Sequence, residues 1–368
     1  MPILNLVSAS SAPITVAHGS SDLQVVTVDA YNAELRDAEG FIGDRASNRA
    51  FRAILDELRE RIRTATGEDP LGDTPSEEMP KKKMDKLLAE GDPEAAGIIQ
   101  GAIEDFATEL TTVVTRFLKL KSWRDTERIV VGGGLRASRV GELAIGRTSV
   151  MLKAAGHKID LVPVRNHPDE AGLLGAIHLA PAWMLEGHDA ILAVDIGGSN
   201  LRAGLVELRP WKSAKKSGEV ARGTVQELEL WRYADEKTKP SREEAVKKIG
   251  SMLEHLIKHA DKNQAKLAPF IGVGCPGIID SDGHIERGGQ NLPGNWESSR
   301  FNLPDRLREL IPKIDGHETV VVLHNDAVVH GLSDLTSVQD VDHWGVLTIG
   351  TGLGNARFTN RGSERSRK

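Results

Sequence analysis

The chain has 368 residues with an apolar fraction of 39%, and 47 Lys and Arg against 53 Asp and Glu give a formal charge of −6. That length suits about two domains with a sizeable core, and the acidic balance argues against a protein held on nucleic acid by bulk charge. One cysteine, Cys275, excludes a disulfide framework and a cysteine-built zinc site. No apolar run approaches the roughly 20 residues of a membrane span, and MPILNLVSASSAPITVAHG lacks the basic start and long apolar stretch of a signal peptide, so a cytoplasmic location is expected.

Along the chain, LQVVTV (23–28) reads as a strand and residues 45–63 as a helix. Residues 67–91 are Pro-rich and highly charged, which predicts a mobile excursion between helices. Ile99, Ile103, Phe106, Leu110, Val113 and Phe117 mark one face of a long amphipathic helix. RIVV (128–131) is a strand ending in Gly132-Gly133-Gly134, residues 138–155 are helical, IDLVPV (159–164) is a strand, and a single helix is expected from about Asp169 to Met184. ILAV before Asp195 is short and fully apolar, as a buried strand should be, and the turn IGGSN joins it to LRAGLVEL (201–208). QELELWRY (226–233) alternates with period two. Ser241 with Glu244 makes a capping box for a helix whose buried face is Ala245, Ile249, Met252, Leu253 and Leu256. PFIGVG (269–274) and TVVVL (319–323) are strands, with a helix opening at RFNLPDRLREL between them. WGVLTIG (344–350) then runs through TGLG into NARFTN (355–360).

From about 189 to 326 the order is β-β-β-α-β-α-β, a meander followed by two crossovers, which predicts a mixed sheet with helices on its faces. The same order recurs, split between the two ends of the chain. WGVLTIG and NARFTN supply its first two strands, and the segments from 23 to 164 supply the rest. The expected architecture is α/β with two lobes, the second assembled from residues 1–185 and 336–368 around a first lobe at 186–335.

The chemistry sits in the turns. Gly197 and Gly198 bring backbone N–H groups close to an anion, Ser199 and Asn200 add neutral donors, and Asp195 can hold a metal ion or its water. A plain hairpin turn satisfies the same residues. Gly350, Thr351, Gly352 and Gly354 occupy the equivalent turn of the second unit, and two such hairpins facing each other would grip a polyphosphate. Gly133 and Gly134 allow an adenosine ring close to the backbone, although a strand-to-helix turn needs them equally. Gly272-x-Gly274-x-x-Gly277 matches the dinucleotide fingerprint, but Pro276 and IIDSDGHI do not open a helix there, which excludes that reading. Asp326 follows an apolar strand and starts a helix, so it is either an N-cap or a general base at the carboxyl end of a sheet. Asn291, in QNLPGNW, is either a turn former or a polyol ligand. The twelve histidines are dispersed.

Together these segments resemble the ROK family (repressors, open reading frames and sugar kinases) of the actin/hexokinase-like ATPase superfold, which has a ribonuclease-H-like core. DIGGSNLRAG is similar to its first phosphate motif and LTIGTGLGNA to its second. IGVGCPGIIDSDGHI with QNLPGNW is similar to its substrate-side signature, HNDAVVHG to the segment bearing its catalytic aspartate, and IVVGGG with DEAGLLGAIHLAP to its adenosine side. Two departures stand out. The Gly132–Gly134 stretch precedes Asp195 instead of following it, so the chain looks circularly permuted, as surface termini lying close together permit. The Glu-x-Gly-His and Cys-rich zinc motifs of the sugar side are missing, so no zinc is expected; Gly43 stands where the sugar-binding glutamate would be, with Glu34, Asp37 and Glu39 nearby.

The resemblance implies Mg-ATP-dependent phosphoryl transfer to a hydroxyl of a sugar-like metabolite. Asp326 is then the base, Asp195 the magnesium ligand, and Asn291, Asn325, Pro276 and Gly277 the substrate side. A homodimer is implied as well. A nucleotide- or sugar-binding regulatory protein without turnover is the alternative. No helix-turn-helix segment favours a DNA-bound repressor, and the basic tail 361–368 reads as a solubilising terminus.

Overall fold

Ten strands form two five-stranded sheets in the computed structural model, which describes residues 17–38, 40–208 and 223–361. The chain lays down β1 (Val26–Tyr31), β2 (Arg128–Gly132) and β3 (Asp160–Pro163), then β4 (Ala190–Ile196), β5 (Leu201–Glu207), β6 (Thr224–Trp231), β7 (Leu267–Cys275) and β8 (Val320–Asn325), and last β9 (His343–Ile349) and β10 (Leu353–Asn360). The central sheet of the chain has the order β8-β7-β4-β5-β6, and the sheet shared by the two ends has the order β1-β10-β9-β2-β3. Each contains an antiparallel meander, β4-β5-β6 in one and β9-β10-β1 in the other. Each continues from its first strand into two parallel neighbours, β7 and β8 or β2 and β3. The expected α/β class and the recurrence of one unit are therefore both present, and strands from opposite ends of the chain pair directly through Val26–Tyr31 and Ala356–Asn360.

The helices cover the outer faces and fill the space between the sheets. On the outer face of the shared sheet lie α1 (Asn48–Thr66), α2 (Lys81–Glu90), α3 (Pro93–Leu118) and α4 (Arg139–Ala154), around a core that includes Phe51, Phe106, Phe117 and Trp123. Between the sheets lies α5 (Pro168–Gly175). On the central sheet's outer face lie α6 (Arg242–Lys262), with its Ser241–Glu244 capping box, and α7 (Leu303–Leu310). The last helix, α8 (Asp326–Leu332), packs with α5 in one apolar cluster that joins the two sheets, from Val130 and Val346 on one side to Ile191 and Val206 on the other. The turns after β4 and β9 meet through Ser199 and Thr351, and residues 197–200 and 350–354 are only partly buried, so a crevice at the carboxyl ends of these strands, where α/β sheets bind ligands, stays accessible.

Three expectations are corrected. The strand over 23–28 begins at Val26, and Leu23 is a core residue ahead of it. The single helix over 169–184 is broken: α5 ends at Gly175, Ala176–Leu179 tighten into a 3₁₀ turn, and a last turn, Ala182–Leu185, follows Pro181, whose ring supplies no N–H to continue a helix. The segment 67–91 is built into the fold rather than mobile. Leu71, Met79 and Met84 are buried. Arg59 of α1, 1% exposed, binds Asp69 at 2.8 Å, Ser76 Oγ at 2.9 Å and the Gly72 carbonyl at 2.7 Å. A charged sequence conceals this because three apolar anchors and one buried cation suffice to hold it.

Candidate functional site

Asp195 is the penultimate residue of β4, a strand buried along its whole length, and faces Arg202 across the hairpin register. Arg202 Nη1 donates to Asp195 Oδ2 at 3.2 Å, while its Nε and Nη2 donate to Asp169 Oδ1 at 3.0 and 2.6 Å. Asp169 stands in the first turn of α5, so this guanidinium ties the first hairpin to the helix between the sheets. Gly172 of α5 lies against the Asp195 carboxylate: a methyl group there would sit 2.5 Å from its Cγ.

The two glycine-rich hairpins meet. In the first, Gly197 N donates to Asn200 O at 2.9 Å; in the second, Gly350 N donates to Gly352 O at the same distance. Ser199 Oγ and Thr351 Oγ1 are hydrogen-bonded at 2.7 Å across the crevice. Gly198 faces both Thr351 and Asn291, whose Cβ atoms would lie 3.7 and 3.2 Å from a methyl group at that position. Gly133, in the turn after β2, has φ +82°, and a side chain there would meet the Ile349 backbone at 2.6 Å, so this turn requires glycine. Asn48 N at the start of α1 donates to Gly350 O at 2.9 Å, which brings α1 to the second hairpin. Gly354 continues that hairpin as the partner of Thr348.

Asp326 opens α8 at the end of β8, two strands from Asp195 in the sheet order and so about 10 Å away at the usual strand spacing. The residue is half-buried, and desolvation of its carboxyl by the surrounding protein raises the pKa to about 7, with the Asp195 charge adding to the shift. It is not the N-cap. That place belongs to Asn325, whose Oδ1 accepts from Ala327 N and Val328 N at 3.0 and 3.3 Å. Asn325 Nδ2 donates to Gly277 O at 2.9 Å, and the residue is 2% exposed. Asn325 thus caps α8 and holds the Pro276–Gly277 turn beside Asp326. Asn291 is exposed at the crevice, opposite Gly198.

Sequence reasoning missed three groups. Asp169 pairs with Arg202 over 33 residues of chain. His330, one turn after Asp326, is buried and held neutral, its pKa lowered to about 4 by burial, and its Nε2 has no partner beneath Gly132. Lys81 donates from Nζ to Gly134 O. Asp169, Arg202 and His330 each stand inside a quoted motif, whereas Lys81 does not. Of the acidic candidates near Gly43, Asp37 pairs with Arg45 at 2.7 Å, Glu34 is exposed, and Glu39 lies outside the described residues, as do 1–16 and 362–368. Among the described residues no group of three or more His, Cys, Asp or Glu side chains is arranged to hold a metal ion, and no helix is long and apolar enough to cross a membrane.

No family profile matches the chain. It is 28% identical over 172 residues to a glucokinase of Thermotoga maritima, covering 46% of this chain and 44% of that protein. Structural neighbours include the ROK hexokinase of Thermus thermophilus, with a TM-score of 0.29, 20% identity and 45% of each chain covered. They also include a ROK family glucokinase of Streptomyces griseus, crystallised with glucose and AMPPNP, with a TM-score of 0.33, 21% identity, and 46% of this chain and 44% of that one covered. The chain thus spans less than half the length of each of these relatives.

Proposed function

We propose that this chain is a ROK-type carbohydrate kinase of the actin-like ATPase fold, which transfers the γ-phosphoryl group of ATP to a hydroxyl of a sugar. The observation that carries the reading is the convergence of two glycine-rich hairpins, joined at Ser199 and Thr351, with a carboxylate of raised pKa at Asp326. The likeness to a glucokinase supports a sugar as acceptor.

On this reading the hairpins at Gly197–Asn200 and Gly350–Gly354 bind the phosphates through backbone N–H groups and the Ser199 and Thr351 hydroxyls. Gly133 and Gly134 leave room for the adenosine. Asp195 fits a magnesium site of the usual kind, in which one or two carboxylates share the ion with substrate phosphates and water. Mg²⁺ supplies neutralisation of phosphate charge when bound. Asp326 accepts the proton of the attacking hydroxyl, and a carboxyl with a pKa near 7 suits that task at neutral pH. Asn291 and the Pro276–Gly277 turn face the acceptor, and approach of the lobes keeps water from it.

We also read the chain as a circular permutation of the family order, with lobes at 186–335 and at 1–185 plus 336–368. Pairing of β1 with β10, from opposite ends, supports this. A sequence likeness confined to about half of each chain is also what a changed order produces. Binding by a regulatory protein without turnover remains the second reading, favoured by the loss of the Glu-x-Gly-His motif. ADP release from Mg-ATP in the presence of sugars, set beside Asp326→Asn, separates the two.

A further inference from the structure

The excursion 67–91 carries a cation, Lys81, to the Gly132–Gly134 turn. Arg52 of α1 donates to the carbonyls of Ser76 and Met79, fixing the chain directly before α2. Asp85 of α2 accepts from Arg139 N at 3.1 Å and Val140 N at 3.0 Å, which locks α2 onto the first turn of α4, just past the Gly132–Gly134 turn. Between these anchors Lys81, the first residue of α2, extends to the Gly134 carbonyl. A methyl group at Gly134 would lie 3.2 Å from Lys81 Nζ and 3.5 Å from Asn48 Nδ2, so an ammonium and an amide flank this glycine together.

The charge balance at this place is incomplete. Lys81 is half-buried, and burial is the largest influence on its ammonium, lowering its pKa; the charges of Arg52 and Arg202 act in the same direction, and Asp169 and Asp85 oppose them from a distance. Among the described residues no carboxylate forms an ion pair with Nζ, whose partner is a neutral carbonyl. A desolvated cation without a counter-charge is costly unless an anion completes it. Asn48, which flanks Gly134 together with Lys81, also donates from its backbone N to Gly350 O at 2.9 Å, so the Gly134 turn and the Gly350 hairpin are close neighbours here.

We propose that Lys81, carried by the 67–91 excursion, is a phosphate-binding residue of the nucleotide site, its ammonium meeting the phosphate chain of a nucleoside di- or triphosphate seated between the Gly133–Gly134 turn and the Gly350 hairpin. This rests on the nucleotide-binding reading above. It gives the charged excursion a function: the segment is a platform that holds one cation in place. The ammonium adds a charge-assisted contact that a nucleoside without phosphates cannot use.

Calorimetric titration of the full chain with ADP and with adenosine tests the idea. In wild type ADP should bind more tightly than adenosine. Lys81→Met should weaken ADP at least about tenfold while leaving adenosine within about twofold, and Lys81→Arg should recover most of the loss. Loss of both ligands to the same extent, or of neither, overturns the proposal. Acylation of lysines in the wild-type protein, read by mass spectrometry, needs no variant: ADP should protect Lys81 and adenosine should not. Equal labelling of Lys81 with and without ADP also overturns it. A wild-type protein that binds ADP no better than it binds inorganic phosphate contradicts the nucleotide reading itself, a result visible before any variant is made.

Discussion

Ser199 Oγ and Thr351 Oγ1 stand 2.7 Å apart, although 152 residues separate them and each belongs to a hairpin of a different sheet. The contact brings the carboxyl end of β4 to that of β9, the position at which α/β sheets bind ligands. Gly198 lies beside this pair with little free space. Gly198→Val should push Asn291 and Thr351 away and, if the hairpins bind phosphate as proposed, obstruct that binding. The expected outcome is a KM for ATP at least about tenfold higher with a nearly unchanged melting temperature, since the site is at the crevice surface. Steady-state kinetics and thermal unfolding of the same preparation check both parts.

Asp326 should carry the pH dependence. A base must be ionised, and burial has raised this carboxyl to about 7, so kcat/KM should fall as pH drops through that value. In Asp326→Asn the rate should drop by about 10²–10⁴ and the acid limb should vanish. A retained acid limb would assign it to another group.

The same carboxyl makes a prediction about stability. Its folded pKa of about 7 exceeds the ordinary 3.8, so between these values the folded state holds a proton that the unfolded chain has lost. Its favourable contribution is complete below about pH 4 and is lost as pH rises through about 7. Asp326→Asn removes that penalty, so the melting temperature of the variant relative to wild type should be higher at pH 8 than at pH 5. Thermal unfolding at the two pH values shows this directly.

Arg59 tests the built-in state of the excursion. It is 1% exposed and paired with Asp69, and removing one member of such a pair leaves a buried charge alone. Arg59→Met should therefore cost about 3–5 kcal/mol and expose residues 67–80 to protease cleavage. Resistance of that segment in the variant would contradict the anchoring described above.

The hairpins and strands were legible because their signals are local: a short apolar run, then glycine, then a second apolar run, as in ILAVDIGGSN and VLTIGTGLG. The recurrence of β-β-β-α-β-α-β at both ends followed from the same runs. What escaped were contacts that depend on distant chain. Nothing near Arg202 announces Asp169, and nothing in the charged stretch around Lys81 announces Gly134, 53 residues later. The packing of 67–91 was hidden because Leu71, Met79 and Met84 show no helical or strand period. Asn325 and Asp326 are adjacent polar residues at a helix start, and nothing local in the sequence decides which of them caps α8.

Phosphoryl transfer from ATP to a sugar hydroxyl, with Asp326 as base, is the function proposed for this chain. The direct measurement is ADP formation from Mg-ATP across hexoses, N-acetylhexosamines and polyols, in wild type and in Asp326→Asn. At least one acceptor should stimulate ADP release in wild type, and the variant should lose at least about a hundredfold of that rate while still binding ATP. ATP binding with no stimulation by any of these acceptors, or a stimulated rate that survives in Asp326→Asn, would contradict it.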